Sequence, residues 1–368
     1  MAYFAEKDFF EDLELFELTQ RVFSGNLTLT WYNANTEKIT CRPRNNERGF
    51  TYDDCNVGSY GYSQLPEFIR TNYSMAARGS EMVPGLPDLG YTINRKSDVW
   101  SENVATLYEE AKARRWAPAV EIDWPALKAA PLPAELASAM SQLCTSLEEI
   151  ALVMMEFPSR WVSVINQEFL ELKSYLCAQM IDEARHVEVF RKRALAGGAG
   201  LKRASATAEQ ALKEILFAET YPEASLACNL MLGSLVLGIF RQAASMLSAV
   251  DARIFRLCMQ DTARELAYGM GHMRYHLEHQ PHRAQFLHDF LDRTEHTFLG
   301  IAASPELLEP LIVLAGRGLS TAALREGTRR VRRSLQRIVS EYMERLAAIG
   351  LDRRTRSRLP AFFANADA

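Results

Sequence analysis

Strong charge of either sign is missing from this 368-residue chain, whose 42 basic and 46 acidic side chains leave a formal net charge of -4. No strongly basic field is therefore present to recruit nucleic acid. The one basic run, Arg325 to Arg337 (REGTRRVRRSLQR), reads most simply as the solvated face of a terminal helix. Paired cysteine motifs are missing too. Cys41, Cys55, Cys144, Cys177, Cys228 and Cys258 are scattered, with no Cys-x-x-Cys. Four of them lie in apolar helical stretches, where a free thiol behaves as a small hydrophobe. A reduced, cytoplasmic compartment is the expectation. The first residues, MAYFAEKDFFEDLELFEL, are acidic and lack the basic start and apolar core of a targeting segment. The longest apolar stretch, Leu226 to Phe240, is interrupted by Asn229, Gly233 and Ser234. It is too short for a membrane span and is expected to be a helix buried on most sides.

What is present changes character near residue 97. Before it, turn formers mix with short apolar pieces. Leu27-Thr28-Leu29-Thr30-Trp31-Tyr32 alternates, Asn33-Ala34-Asn35 can turn, and Glu37 to Cys41 follows, which predicts a β-hairpin. Pro, Gly and Asn then punctuate residues 42–96. From Ser97 onward the pattern is almost wholly helical. Ser97 or Ser101 can cap a helix running to about Trp116. A second starts at Pro131 and Pro133, with Leu143, Leu147, Ile150 and Met154 at helical spacing, and Pro158 is expected to break or kink it. A long helix then runs through Asp182 to about Leu195, ended by Gly197, Gly198 and Gly200. Further helices are predicted over 206–220, 222–247, 252–279, 283–300, 304–316 and 320–348. The resulting plan is an N-terminal mixed extension (1–97), a helical domain (98–350) and a C-terminal tail (351–368). No short-period repeat is present, but helix pairs 134–195 and 222–279 can form two halves of one bundle.

Two stretches within those halves follow one template. The first reads Met180-Ile181-Asp182-Glu183-Ala184-Arg185-His186-Val187, the second Met259-Gln260-Asp261-Thr262-Ala263-Arg264-Glu265-Leu266. Asp, Ala and Arg match. Where the first copy has Glu183 and His186, the second has Thr262 and Glu265. Residues three apart share a helix face, so Glu183 and His186 can grip one ion. A Glu-x-x-His pair from each of two helices, with a Glu from each of two others, is how a four-helix bundle holds two iron or manganese ions. The helix before the first copy offers Glu148 and Glu149. Glu149 lies 34 residues before Glu183, enough to return to a similar depth. Carboxylates charge-balance such metals, and histidine adds a neutral nitrogen.

With these residues in hand, the chain resembles the carboxylate-bridged di-iron proteins of the ferritin-like superfamily. These include the small subunit of ribonucleotide reductase, bacterial multicomponent monooxygenase hydroxylases and arylamine N-oxygenases. The resemblance covers residues 130–279. It implies an all-α, ferritin-like four-helix bundle with additional helices. It also implies metal ligands at Glu149 (or Glu148), Glu183 and His186, with iron, or manganese in its place, as the metal. In such proteins the Asp of the motif holds the histidine ring of the opposite half, so Asp261 would orient His186. Asp182 would take the matching place in the other half, and Arg185 and Arg264 would neutralise these buried acids.

The second half departs from that pattern. Thr262 cannot bridge as a carboxylate does, and Glu265 can ligate but brings a negative charge. The window for an upstream ligand, Ala227 to Gly233, contains no acid. Glu219 and Glu223, the nearest candidates, lie ten or more residues before Gly233, and first-turn acids at a helix start explain them better. Six of the seven histidines fall between 272 and 296. Glu265, His272, His276 and His279 form a helical stripe, so His272 could supply a nitrogen to the site. The competing reading is a solvated, partner-facing edge.

Two functions compete on these grounds. The first is an O₂-dependent di-metal oxygenase or oxidase with Glu183 and Glu265 as catalytic ligands. Leu232, Leu235, Val236 and Phe240 would form apolar walls, and a small organic substrate would be hydroxylated, N-oxygenated or desaturated. Electrons would come from a ferredoxin or reductase. The second is a metal-poor ferritin-like protein turned to non-oxidative catalysis or to a binding or scaffold role. Iron storage is a third reading, against which the unmatched N-terminal region argues. No nucleic-acid or membrane partner is expected. A homodimer is, since related bundles pair through helix faces.

Overall fold

Two units make up the chain, Met1–Asn94 with Asn166–Glu168, and Arg95–Ile165 with Phe169–Ala368. The computed structural model describes residues 8–58, 64–70, 75–82, 89–246 and 248–364.

The first unit holds two α-helices among its described residues, α1 (Leu13–Phe23) and α2 (Tyr52–Cys55). Asp12 caps α1, and Thr51 and Asp54 close a capping box on α2. The expected hairpin is absent: no strand occurs among the described residues, and Thr30–Asn33 forms a 3-10 turn. Leu27, Leu29, Trp31 and Tyr32 are all exposed. Alternation yields paired strands only when one face is covered, and no apolar layer covers these residues.

The second unit is all-helical. Its elements are α3 (Val104–Ala113), α4 (Pro118–Glu121), α5 (Trp124–Ala129), α6 (Ala134–Val162), α7 (Leu170–Ala196) and α8 (Ala206–Leu216). After them come α9 (Tyr221–Ser225), a π-helical segment (Leu226–Leu232), α10 (Gly233–Met246) and α11 (Ala249–His279). The chain finishes with α12 (Ala284–Ala302), α13 (Pro305–Gly316), α14 (Thr321–Ala348) and α15 (Leu359–Ala364). Side-chain caps start several of these where the sequence offers Ser or Thr. Ser205 caps α8, Thr220 with Glu223 boxes α9, Ser248 caps α11 and Ser320 caps α14. Each cap satisfies backbone N–H groups that the first helical turn leaves unpaired. Pro158 does not break α6, which runs on to Val162. The lost hydrogen bond falls in the last turns, and the ring is buried.

Contacts between helices give their directions. Antiparallel neighbours keep a constant sum of residue numbers, parallel ones a constant difference. Ser141 donates to the Ala194 carbonyl and Glu148 meets Arg191, so α6 and α7 are antiparallel. His186 meets Asp261 and Arg193 meets Asp251, so α7 and α11 are antiparallel. Gln179 donates to Asn229 and Phe190 packs on Phe240, so α7 runs parallel to the π segment and α10. Two antiparallel hairpins joined by one crossover, here carrying α8, make the ferritin-like arrangement of a four-helix bundle. At Gly269 of α11 a Cβ would lie 2.6 Å from Asn229 Cβ and 2.5 Å from Leu230 Cδ1. Glycine there lets α11 approach the π segment closely.

The helix from Tyr221 to Ser245 is 25 residues long and apolar enough to cross a membrane, longer than the interrupted stretch in the sequence suggests. Its apolar window is wholly buried in the fold, as befits the central helix of a bundle. Around the bundle, α12 packs on α8, α13 on α6 and α14, α14 on α10, and α15 on α14. In the C-terminal segment Arg353 is buried, donating to Glu295 (2.7 Å) and Asp292 (2.8 Å).

On α14, Glu341 accepts from Arg241 (2.6 Å), Arg337 (2.8 Å) and Arg345 (3.0 Å). Partial burial opposes its charge, but the three guanidinium groups win and bring its carboxyl down to about 2. A depressed folded value stabilises above the ordinary range near 4.5 and is lost as pH falls toward 2. Glu341→Gln is expected to lower stability by about 1–2 kcal/mol at pH 7, discounted for its partial exposure. The gap to wild type closes as denaturation midpoints are measured down to about pH 2.

Candidate functional site

One stripe of α7 points into the bundle: Tyr175, Gln179, Asp182, Glu183, His186, Phe190 and Arg193 are all buried. The facing stripe of α11 carries Asp251, Phe255, Cys258, Asp261, Thr262, Glu265, Tyr268 and His272, also buried. Steps of three and four keep each set on one face. The two related motifs therefore lie opposite each other.

Their shared letters meet across the helices. Arg264 donates to Asp182 Oδ2 at 2.7 Å and also to Asp261 Oδ1. Arg185 donates to Asp182 and, at 3.3 Å, to Asp261 Oδ2. Each arginine thus bonds the aspartate of its own motif and that of the other. Trp116 Nε1 donates to Asp261 Oδ2 at 2.7 Å, and its ring lies 5.5 Å under the Arg185 guanidinium. Burial opposes charge on Asp261, but His186, Arg264 and Trp116 hold its carboxyl below the usual range. Asp182 is pushed up by burial and by Asp261, against the pull of the two arginines.

The letters that differ lie one step inward. His186 has Nδ1 3.2 Å from Glu183 Oε2 and Nε2 3.3 Å from Asp261 Oδ2, neither aligned as a hydrogen bond. Burial alone would lower the affinity of this ring for a proton. The Cys258 sulfur and the Glu183 and Asp261 carboxylates outweigh it and raise that affinity well above the ordinary value. Glu265 turns its carboxyl toward Glu183, and burial followed by the Glu183 charge pushes it well above the usual carboxylate range. No donor reaches Glu183 Oε1, either oxygen of Glu265, Thr262 Oγ1 or Tyr175 Oη. Burial and the Glu265 charge raise the Tyr175 phenol, and burial with Glu265 and Glu183 raises the Cys228 thiol. The π segment that carries Cys228 also holds Asn229, which accepts from Gln179 at 3.0 Å. Such local widening of a helix recurs at functional sites. Phe190 and Phe240 pack on His186, and Phe255 packs on both of them, with ring centroids 5.6–6.3 Å apart.

Glu183, His186 and Glu265 are thus brought together, with Asp182, Arg185, Asp261 and Arg264 beside them. Glu149 is not. It is half-buried on another face of α6, beside Glu209, Glu306, Lys213 and the Ser205 backbone. Glu148 pairs with Arg191 at 3.2 Å. The buried face of α6 at the depth of Glu183 and His186 is Ile150, Ala151 and Met154, because helical phase turns residues 148 and 149 away from it. His272 is not free to ligate either. Its Nδ1 lies 3.0 Å from Ser225 Oγ and its Nε2 2.9 Å from the Asp98 carbonyl. Burial and then His276 depress its affinity for a proton. The stripe is no solvated edge, since His272 and His276 are both buried. Tyr175, Gln179, Trp116, Cys228 and Cys258 were missed. For Tyr175, Gln179 and Cys258 the signal was present, as they continue the α7 and α11 stripes at steps of three and four. Cys228 lies in the π segment and Trp116 in the loop after α3, where no such template runs.

Whether a metal fits can be read from the donors. Two ligands about 2.1 Å from one ion and about 90–110° apart stand about 3.0–3.4 Å from each other. The 3.2 Å between Glu183 Oε2 and His186 Nδ1 is that separation. Among the described residues no group of three or more His, Cys, Asp or Glu side chains already stands at ligating geometry. Glu265, buried, facing Glu183 and lacking any donor, is the third group of suitable chemistry. Only Glu183 and His186 stand at the separation of two ligands of one ion, and Glu265 would have to close on them to complete a single-ion site. A second ion would meet apolar residues on α6 and α10 and Thr262 in place of a carboxylate.

Removing Arg264 leaves two buried aspartates short of a counter-charge. Arg264→Met is expected to cost about 3–5 kcal/mol, and the partly exposed Arg185→Met less, in urea denaturation of the whole chain.

No protein-family model and no curated protein matches the sequence. In structure the chain is similar to R2-like ligand-binding oxidases. One with an aerobically reconstituted Mn/Fe cofactor (long soak) is 21% identical with a TM-score of 0.49, over 66% of this chain and 91% of that one. A point mutant with an Fe/Fe cofactor is 19% identical with a TM-score of 0.49, over 66% and 92%. The form without metal cofactor is 20% identical with a TM-score of 0.47, over 66% and 95%. No residue role follows from likeness at that level.

Proposed function

We propose that this chain is an O₂-dependent oxidoreductase whose buried centre holds one redox metal ion, iron or manganese, on Glu183, His186 and Glu265. The observation that carries this reading is the carboxylate pair Glu183 and Glu265, buried face to face beside an imidazole with three of its four oxygens lacking any hydrogen-bond donor. Two buried acids in that state need a cation or a shared proton between them. When bound, such an ion supplies one-electron redox chemistry and a coordination position for a small molecule.

The remaining residues support that role. Glu183 and Glu265 balance a divalent charge. Asp261, held by Arg264, Arg185 and Trp116, faces His186 Nε2 and so leaves Nδ1 toward the ion. Phe190, Phe240, Phe255, Leu232, Leu235 and Val236 keep water out, and Tyr175 keeps its phenolic proton on the Glu265 side. An apolar enclosure of this kind suits a small organic substrate. Electrons would come from a ferredoxin or reductase partner.

The second reading is a metal-free site in which one proton bridges Glu183 and Glu265. The upward displacement of Glu265 favours it, and it leaves a ferritin-like scaffold for non-oxidative catalysis or binding.

Metal analysis of protein loaded anaerobically with Fe(II) or Mn(II), then desalted, separates the two. About one ion per chain is expected, falling to background in Glu183→Ala and in Glu265→Ala, with a higher melting temperature for the loaded wild type. Background metal in the wild type, unchanged by either substitution, rules the metal reading out. About two ions per chain rules out the one-ion form of it.

A further inference from the structure

The basic run that the sequence presents as a solvated helix face has a second role in the fold. Arg330, Arg333 and Arg337 of α14 join Arg241 of α10 and Arg317 at the end of α13 around a cleft of about 520 Å³. Its other lining residues are Gly238, Gln242, Ser245, Ser334 and Ile338. No acidic or aromatic residue appears among the described residues that line it. Five guanidinium groups from three helices are thus held around one space.

Close packing puts them there. At Gly238 a Cβ would lie 2.1 Å from Ile338 Cγ1, and at Gly327 one would lie 2.1 Å from the Ile312 carbonyl oxygen. Helices α10 and α13 therefore both approach α14 without side chains between them at those points, and the arginines flanking the crossings converge. Arg317 closes α13 in the left-handed region (φ 60°, ψ 37°). Glycine is usual in that conformation, and a side chain there costs about 1 kcal/mol.

Some of the charge is offset within the fold. Glu341 serves Arg241 and Arg337, Glu326 serves Arg330, and Arg330 also donates to the Ala315 carbonyl at 3.3 Å. Arg317 and Arg333 line the same cleft with no ion pair to a described residue. Like charges gathered in this way repel, and an anion in the cleft relieves them. Guanidinium forks pair two N–H groups with two oxygens of a phosphoryl or carboxylate group. The volume is that of a small-molecule site. With no aromatic wall to stack a base and only Ile338 as a large apolar contact, the cleft can recognise the charged part of a ligand and little else.

We infer that this cleft between α10, α13 and α14 is a binding site for a small, multiply charged oxyanion of the diphosphate class. Arg317 and Arg333 supply the uncommitted donors, and Arg241, Arg330 and Arg337 supply the surrounding field. The site lies on other helices than the buried centre's paired motifs and does not depend on that centre holding a metal.

Calorimetric titration of the full chain with pyrophosphate and with inorganic phosphate, at constant ionic strength set with NaCl, tests it. Saturable binding of pyrophosphate is expected, at least about tenfold tighter than that of phosphate. Arg317→Ala and Arg333→Ala should each weaken it by about tenfold, and Arg333→Lys should not fully restore it, because the fork is lost. Arg325→Ala removes an exposed charge from the same helix outside the cleft and should leave affinity unchanged. Unchanged melting temperatures of these surface variants confirm their folding. Absence of saturable heat overturns the inference. So does equal weakening by Arg325→Ala and Arg333→Ala, which marks a diffuse field instead of a site. Tighter binding of poly-glutamate than of pyrophosphate also overturns it, in favour of an acidic protein surface.

Discussion

Four charges between α7 and α11, three of them buried and Arg185 partly exposed, set the register of everything around them. Asp182, Arg185, Asp261 and Arg264 form a closed arrangement in which each arginine reaches both aspartates. A buried ionic group is tolerated only when its partners are in place, and a shift of either helix by one residue would strand all four. That constraint fixes the relative height of the two motifs. It turns Asp261 toward His186, and it brings Glu183 and Glu265 face to face. The close passage of α11 at Gly269 along the π segment then settles where α9 and α10 lie.

The two motifs share the residues that bond across the helices and differ at the two positions that face inward. Their shared Asp and Arg residues do structural work that neither copy can give up without unpairing the other. Glu183 and His186 in the first copy, and Thr262 and Glu265 in the second, face inward and bear no such load. They can change without loss of the helix pairing. The result is a centre with its imidazole on one side only and two carboxylates in contact, inside a shell of phenylalanines. Such a pair is unfavourable by itself, and the compensation it requires, an ion or a proton, is the key to its chemistry.

Most of the helices were legible from caps and periodicity. The predicted spans 206–220, 222–247, 252–279 and 320–348 overlap α8, α9 with α10, α11 and α14, and the apolar steps of three and four run through α6, α7 and α11. The cap expected at Ser97 or Ser101 is not used, since α3 starts after Asn103. The hairpin at residues 27–41 was misread because alternation carries no information about whether a face will be covered. Glu149 was misread for a related reason. Its distance along the chain brings it to the right depth, but a helix also has phase, and one residue is about 100°. His272 sits on the correct stripe two turns from Glu265, and there Ser225 and the Asp98 carbonyl take up both ring nitrogens.

By itself the sequence determined the helical character of residues 98–348, the pairing of two motifs, and the placing of Glu183 with His186 on one face. These follow from local spacing, which a single helix obeys whatever surrounds it. Only the tertiary structure decided which helices meet, and so that the shared letters bind one another across α7 and α11. It also decided that α6 offers Ile150 and Met154 instead of Glu149, and that five scattered arginines line one cleft. Those outcomes depend on how helices rotate and cross against each other, and that is set by packing among residues far apart in the chain.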